Sequence, residues 1–230
     1  MKIKDKVIIV TGASQGIGLV TARHLSSLGA KIVVAARSKD LINSLEKELP
    51  NSLGIIADMR KATDIKNLVQ KTIDKFGRVD ILINNAGQGM VGDFEHIDIV
   101  QYKAIMDLNV FGVVIAMQEV IPYMRKQGGG MIINISSGVT KMYLPGLSAY
   151  SSTKYALNSI SLTARQELEK DHIIVSIVLP GLTATNFAKN SIGSNPNWAA
   201  GRKMPEADAP EKVAKTIEKI INSEEAEIRV

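Results

Sequence analysis

Six short apolar runs rich in β-branched residues recur along the chain: KVIIV (6–10), KIVVAA (31–36), LGIIA (53–57), VDILI (79–83), MIINI (131–135) and HIIVSIVL (172–179). Their near-continuous hydrophobicity is that of strands buried on both faces. Stretches of helical period lie between them, over roughly 16–28, 39–49, 61–76, 98–126 and 150–170. Such alternation predicts an α/β fold, a doubly wound parallel sheet with helices on both faces. The closing EAEIRV reads as a short last strand, and no repeat, low-complexity tract or linker divides the 230 residues, so residues 1–230 are expected to form a single domain.

The unusual motifs all fall just after strands: TGASQGIG after the first, NNAG after the fourth, NISSG after the fifth and PGLTAT after the sixth. In a doubly wound sheet the carboxyl ends of the strands share one edge, where such folds bind ligands. Motifs distant in sequence therefore converge in space.

TGASQGIG sets Gly12, Gly16 and Gly18 between a strand and a helix. Glycine permits the tight turn and a close backbone approach to a pyrophosphate, which the free N–H groups and dipole of the helix start favour. No Gly-Lys-Ser/Thr follows, so the loop is not a Walker loop, and its position between strand and helix points to a dinucleotide. At the end of the second strand, where NAD-preferring folds carry a carboxylate for the ribose 2′-hydroxyl, stand Ala36 and Arg37. A guanidinium in place of a carboxylate favours NADP(H) over NAD(H). Asp58 ends the third strand, where it could accept from an adenine amino group or cap the helix over 61–76.

Composition removes several alternatives. The chain has no cysteine, and His24, His96 and His172 are scattered, which excludes disulfides and a thiolate nucleophile and leaves no ligand set for a transition metal. Absence of cysteine also fits a reducing, cytoplasmic compartment. The formal net charge is +5, but Lys and Arg are interleaved with Asp and Glu and lack neighbouring aromatics, so nucleic acid is not an expected partner. Attraction to an anionic cofactor accounts for the charge equally well. The start, MKIKDKVIIV, is unlike a signal peptide, and no apolar run approaches a membrane span, so no membrane association is expected.

With TGASQGIG, NNAG, Asn109 in LNVFG, Ser137 in NISSG, Tyr150 and Lys154 in YSSTK, and PGLTAT in order, the chain resembles the classical short-chain dehydrogenase/reductase family from about residue 5 to 185. The resemblance implies a Rossmann-type sheet with strand order 3-2-1-4-5-6-7 and a nicotinamide-dependent reaction at a carbonyl or alcohol carbon. It implies further that Gly12, Ser14, Gln15, Gly16, Ile17 and Gly18 hold the pyrophosphate and nearby ribose, Arg37 the 2′-phosphate, and Asp58 and Met59 flank the adenine. Asn85 would approach the cofactor, with Thr183 and Thr185 near the nicotinamide carboxamide. Gln15 stands where many NADP-dependent members carry a basic residue, which leaves the phosphate to Arg37.

Tyr150 and Lys154, four residues apart, share one helix face. Hydride delivery to a ketone builds charge on its oxygen, and a positioned acid must supply a proton. A cation about 4 Å from the phenol, at an effective dielectric near 20, contributes about 4 kcal/mol, which would bring the Tyr150 pKa from about 10 to about 7. By resemblance, Lys154 also bonds the nicotinamide ribose, Ser137 holds the substrate oxygen, and Asn109 orders a water that relays protons to Lys154. Each residue alone has a plainer reading: Asn109 satisfying backbone groups within a helix, Ser136 or Ser137 capping a strand end, Tyr150 and Lys154 an exposed pair.

Substrate choice is expected to rest on a lid over about 183–209, with Phe187, Trp198 and Met204 as apolar anchors, and on a wall from Met90, Val139, Met142, Tyr143 and Leu144. With no Arg or Lys cluster among them, the expected substrate is a neutral, fairly hydrophobic ketone or aldehyde. A 3-oxoacyl-[acyl-carrier-protein] reductase is the nearest alternative and would need basic surface such as Arg125, Lys126, Arg202 and Lys203. A non-catalytic NADP(H) sensor is the alternative of another class, although it would not require Asn109, Ser137, Tyr150 and Lys154. The family's usual ending, a Thr-Gly strand and a Val-Asp-Gly-Gly turn, has no counterpart here. Its long helices remain available, so the expectation is a homodimer, with a tetramer as the alternative.

Overall fold

Each apolar run becomes a strand in the computed structural model, which describes residues 2–193 and 206–230. The strands are β1 (Val7–Thr11), β2 (Lys31–Ala36), β3 (Leu53–Ile56), β4 (Ile81–Asn84), β5 (Gly130–Ile135), β6 (Ile173–Leu179) and β7 (Glu227–Arg229). Among the described residues they form one sheet in the order β3-β2-β1-β4-β5-β6-β7. Every neighbouring pair is parallel, with Val10 opposite Val34 on one side and Ile83 on the other. All carboxyl ends therefore lie along one edge, and this is the Rossmann-type arrangement expected.

The helices are α1 (Gly16–Ser27), α2 (Lys39–Glu48), α3 (Ala62–Phe76), α4 (Ile99–Met106), α5 (Gly112–Lys126), α6 (Ser148–Leu168) and α7 (Pro210–Ser223). They make two layers. Ile8 and Val10 of β1 pack with α1, α2 and α7, whereas Val7 and Ile9 pack with α3, α5 and α6. Both sets are fully buried, which is why these strands read as unbroken apolar runs rather than alternating ones. Each such side chain contributes about 1.5–3 kcal/mol by leaving water.

Two helical features differ from the expectation. α7 has no counterpart among the helical stretches read from the sequence, yet Pro210 opens it and Val213, Ala214, Ile217, Ile220 and Ile221 form its buried stripe. The stretch expected as one helix over 98–126 runs as α4, a π turn at Asp107–Phe111, and α5. Asp98 starts it by accepting hydrogen bonds from the Val100 and Gln101 amides at 2.8 and 3.3 Å. Contrary to the expectation that no segment approaches a membrane span, the continuous 28 residues of Ile99–Lys126 are long and apolar enough to cross a membrane by length and composition. Part of that apolarity faces the sheet, against which Val113, Ala116, Met117, Val120 and Met124 are buried, while Ile99, Val100 and Phe111 are exposed.

Candidate active site

The β1–α1 turn forms a cradle. Gly12 and Gly16 have φ of +65° and +57°, where a side chain would be strained. A Cβ at Gly12 would stand 2.8 Å from Ala86 Cα, and one at Gly18 would collide with Asn85 Nδ2 and the Gly12 carbonyl. Asn85 fastens this turn: its Nδ2 donates to the Thr11 carbonyl at 2.8 Å and to that of Gly12 at 3.3 Å. The Asn85 and Ala86 amides both donate to Thr11 Oγ1, at 3.0 and 3.1 Å. NNAG thus acts on the glycine turn through hydrogen bonds as well as standing beside it. Ser14 and Gln15 complete the turn, Gln15 is extended at the start of α1, and Ile17 lies in its first turn. No side chain caps α1 and its first turn holds no acidic residue, which leaves its amides and dipole for an anion. Beside Gly16 a cleft of about 440 Å³ is lined by Val20, Ala184, Thr185, Asn186, Lys189 and Pro210. These residues fit a dinucleotide.

At the end of β2, Ala36 is buried and Arg37 exposed. Asp58 is held by its own neighbour: Arg60 Nη2 donates to it at 2.6 Å and Arg60 Nε at 3.0 Å, while the Arg60 amide donates to Oδ1. This fork keeps the Asp58 carboxyl down at about 2, with the charge of Arg37 adding to the effect. The cap reading of Asp58 does not hold. α3 starts at Ala62, the preceding Lys61 gives it no side-chain cap, and Asp64 accepts from the Asp58 amide at 3.0 Å. Met59 is buried, and its carbonyl lies where a Cβ on Gly112 would be, so α5 begins directly against this end of the site.

The four residues expected to carry the chemistry meet at the ends of β4 and β5. Tyr150, Lys154 and Asn109 are 7 %, 5 % and 0 % exposed, which removes the exposed-pair reading. Ser137 follows β5, and its hydroxyl accepts from the Val139 amide at 3.3 Å and bonds the Tyr150 phenol. Lys154 Nζ donates to the Ile135 carbonyl at 2.8 Å. Asn109, turned inward by the π segment, accepts from the Gln88 amide at 3.0 Å and donates to the Gln88 carbonyl at 2.9 Å and to Thr153 Oγ1 at 3.1 Å. It does satisfy backbone groups, those of the loop after NNAG, and does so within the site.

One electrostatic expectation is corrected. Burial pushes the Tyr150 phenol up to about 12, against the smaller downward pull of its Ser137 bond, instead of Lys154 lowering it toward 7. The cause is the cover over the ring: Phe187 lies tilted against it with centroids 5.6 Å apart. Burial also lowers Lys154 to about 8, and its ammonium is directed to a backbone carbonyl. At neutral pH the phenol keeps its proton, the state an acid catalyst needs.

The cover is the described part of the expected lid. Met90 and Ile192 form a parallel bridge, Gln88 Nε2 donates to the Asn190 carbonyl at 3.0 Å, and a Cβ on Gly89 would collide with Ser191 Oγ. Thr183 pairs with Asp208, and Thr185 Oγ1 accepts from the Phe187 amide at 3.2 Å. Trp198, Met204, Arg202 and Lys203 lie outside the described residues. Of the expected wall, Met90 is buried and Met142 is 40 % exposed. Tyr143, 92 % exposed and hydrogen-bonded to Tyr155, adds nothing to it.

The model of the short chain dehydrogenase family matches residues 6–195. The chain belongs to that family. This short-chain dehydrogenase is 33 % identical over 227 residues to an uncharacterised oxidoreductase of Staphylococcus saprophyticus, covering 97 % of this chain and 92 % of the relative. It is 36 % identical over 208 residues to an uncharacterised oxidoreductase of Methylorubrum extorquens, covering 88 % and 81 %. Among solved structures it resembles the 3-ketoacyl-(acyl-carrier-protein) reductase of Brucella melitensis complexed with NADH, with a TM-score of 0.90, 26 % identity and coverage of 99 % and 97 %. The short-chain dehydrogenase site also contains residues that motif reading passed over: Gln88, which brackets Asn109, Thr153, and the Ile135 carbonyl that receives Lys154. Gln88 follows NNAG and Thr153 lies inside YSSTK, but only the fold shows what each touches.

The buried cation of this dehydrogenase sets a pH dependence of stability. Lys154 has a folded pKa of about 8 against an ordinary 10.5, so between these values the unfolded chain binds more protons and stability rises with pH. Tyr150 acts with the opposite sign between 10 and about 12, where the folded chain holds its proton more tightly. Relative to Lys154→Met, the wild type is expected to gain about 2 kcal/mol from pH 8 to pH 10 in urea unfolding. A difference that stays flat over that interval would contradict the assignment.

Proposed function

We propose that the chain is an NADP(H)-dependent oxidoreductase that interconverts a neutral, fairly hydrophobic ketone or aldehyde and its alcohol. The observation that carries this reading is the convergence of buried Tyr150 and Lys154 with Ser137 and Asn109 on the sheet edge that bears the uncapped glycine turn. The nicotinamide group would supply hydride to the carbonyl carbon or accept it from the alcohol. Tyr150 gives its proton to the carbonyl oxygen as negative charge develops there, and the Ser137 hydroxyl donates to the same oxygen. The Lys154 ammonium favours that charge and would bind the ribose, while Thr183 and Thr185 would orient the carboxamide end. Arg37 would take the 2′-phosphate, and Asp58, neutralised by Arg60, opposes it little. With Tyr150 protonated at neutral pH, the site is set for reduction.

The likeness to a 3-ketoacyl-(acyl-carrier-protein) reductase favours an acyl thioester as the second substrate reading. Against it, Arg125, one of the basic residues available to meet an acidic carrier, is paired with Asp171 at 2.6 Å. That neighbour holds NADH, so the NADP(H) preference here rests on Ala36 and Arg37. The decisive assay follows loss of NADPH or NADH absorbance with a panel of ketones, aldehydes and acyl thioesters. Wild type should prefer NADPH, and Arg37→Asp should raise KM for NADPH by about 10- to 100-fold, as loss of a charge-assisted contact requires, with little change for NADH. Equal use of both cofactors by both proteins would refute the preference. Tight NADPH binding without turnover across a wide panel would favour the sensor reading.

A further inference from the structure

Thr153 is fully buried one residue before Lys154, and its hydroxyl makes two hydrogen bonds. Oγ1 donates to the Tyr150 carbonyl at 2.8 Å, an ordinary bond between a helical threonine and the preceding turn. The second bond is not local. Oγ1 accepts from Asn109 Nδ2 at 3.1 Å, joining α6 to the π turn between α4 and α5. Asn109 is then satisfied at every amide hydrogen: one goes to the Gln88 carbonyl, the other to Thr153, and its oxygen takes the Gln88 amide.

We propose that Thr153 is a positioning residue that fixes Asn109 against the catalytic helix and so sets the surroundings of Lys154. The inference rests on the catalytic reading above. Its geometric basis is the point where the two groups converge: a Cβ built on Gly87 would stand 3.3 Å from Asn109 Oδ1 and 3.7 Å from Lys154 Nζ. A shift of Asn109 away from α6 therefore alters the small space beside Gly87 that its amide oxygen and the ammonium both border. Gln88 determines which way the amide faces, and Thr153 determines how close it lies to α6. Within a helix threonine divides between two rotamers, and in this fully buried position the bond to the Tyr150 carbonyl holds the hydroxyl in one of them.

Thr153→Val keeps the shape and removes both bonds, leaving an Asn109 N–H buried and unpaired. The expected result is a loss of about tenfold in kcat, with KM for NADPH within about twofold of wild type and a displaced alkaline limb in the pH profile of kcat. Thr153→Ser should restore both rate and profile. In combination with Asn109→Ala, the valine change should cost nothing further, since both remove the same contact. If the valine variant does not fold, as read by circular dichroism, Thr153→Ala removes the same hydroxyl. A Thr153→Val enzyme that melts lower but keeps wild-type kcat and pH profile, or effects that add in the double variant, would overturn the proposal. Tyr150→Phe assayed alongside separates the two claims: if it stays active, the catalytic reading itself has failed, whatever Thr153 does.

Discussion

Tyr150→Phe is expected to lower kcat for carbonyl reduction by about a thousandfold, the contribution of a well-placed general acid, while leaving the dissociation constant for NADPH within about threefold. The ring stays, so its packing against Phe187 is kept, and what is lost is one proton donor and the bond to Ser137. Because burial holds the wild-type phenol near 12, its activity should not fall through loss of the acid form as pH rises from neutral toward 10. The rate comparison by stopped-flow single turnover, with NADPH affinity by fluorescence titration, checks both parts. A phenylalanine enzyme within tenfold of wild type would mean that another group supplies the proton.

Gly18→Ala should be nearly as damaging through a different route. The added Cβ meets Asn85 Nδ2 and comes within 2.5 Å of the Gly12 carbonyl oxygen, and backbone cannot move aside as the tip of a side chain can. Either the turn opens or Asn85 leaves its two carbonyls. Overpacking of this kind costs about 1–3 kcal/mol, equivalent to about 5- to 150-fold in NADPH affinity if it falls on the cofactor-competent turn. The same strain should lower Tm by about 3–10 °C in a chain of this size. Calorimetric titration and thermal melts read the two effects separately. Unchanged values in both would show that the turn is not closed as tightly as the structure has it.

The legibility of the fold followed burial. Strands such as β1 and β5 are enclosed on both faces, so nearly every residue is apolar and the run identifies itself. α7 is equally periodic, from Val213 to Ile221, but it opens on Pro210 directly after a polar, Pro-punctuated stretch, so its start carries the signals of a loop. The π turn left no such mark, because apolar residues on both sides continue a helical pattern and the change of register depends on Asn109 being drawn toward Gln88 and Thr153.

At the site, identity and spacing located Tyr150, Lys154, Ser137 and Asn109, since their side-chain chemistry is distinctive. Their electrostatics were not legible. The direction of the Tyr150 shift depends on how deeply the phenol is buried under a cover that includes Phe187, which belongs to a chain segment more than thirty residues distant. A charge pair argued from helix spacing alone omits desolvation, and in this site desolvation is the larger effect. Asp58 was hidden in a similar way: its bidentate partner lies two residues on, but only the bend after β3 brings the guanidinium back upon it.

The π turn also separates the length that the core requires from the length that the reaction centre requires. A π turn is an α-helix carrying one extra residue, and the wider turn takes up that residue within nearly the same rotation. Deleting a single residue between Asp107 and Phe111 would therefore let the segment close to regular helix with α4 and α5 still facing as they do now. Val113, Met117, Val120 and Met124 would stay on the sheet, whereas Asn109 would lose the wide turn from which it reaches Gln88 and Thr153. The extra residue thus serves the site alone, and a chain that lost it would keep its core.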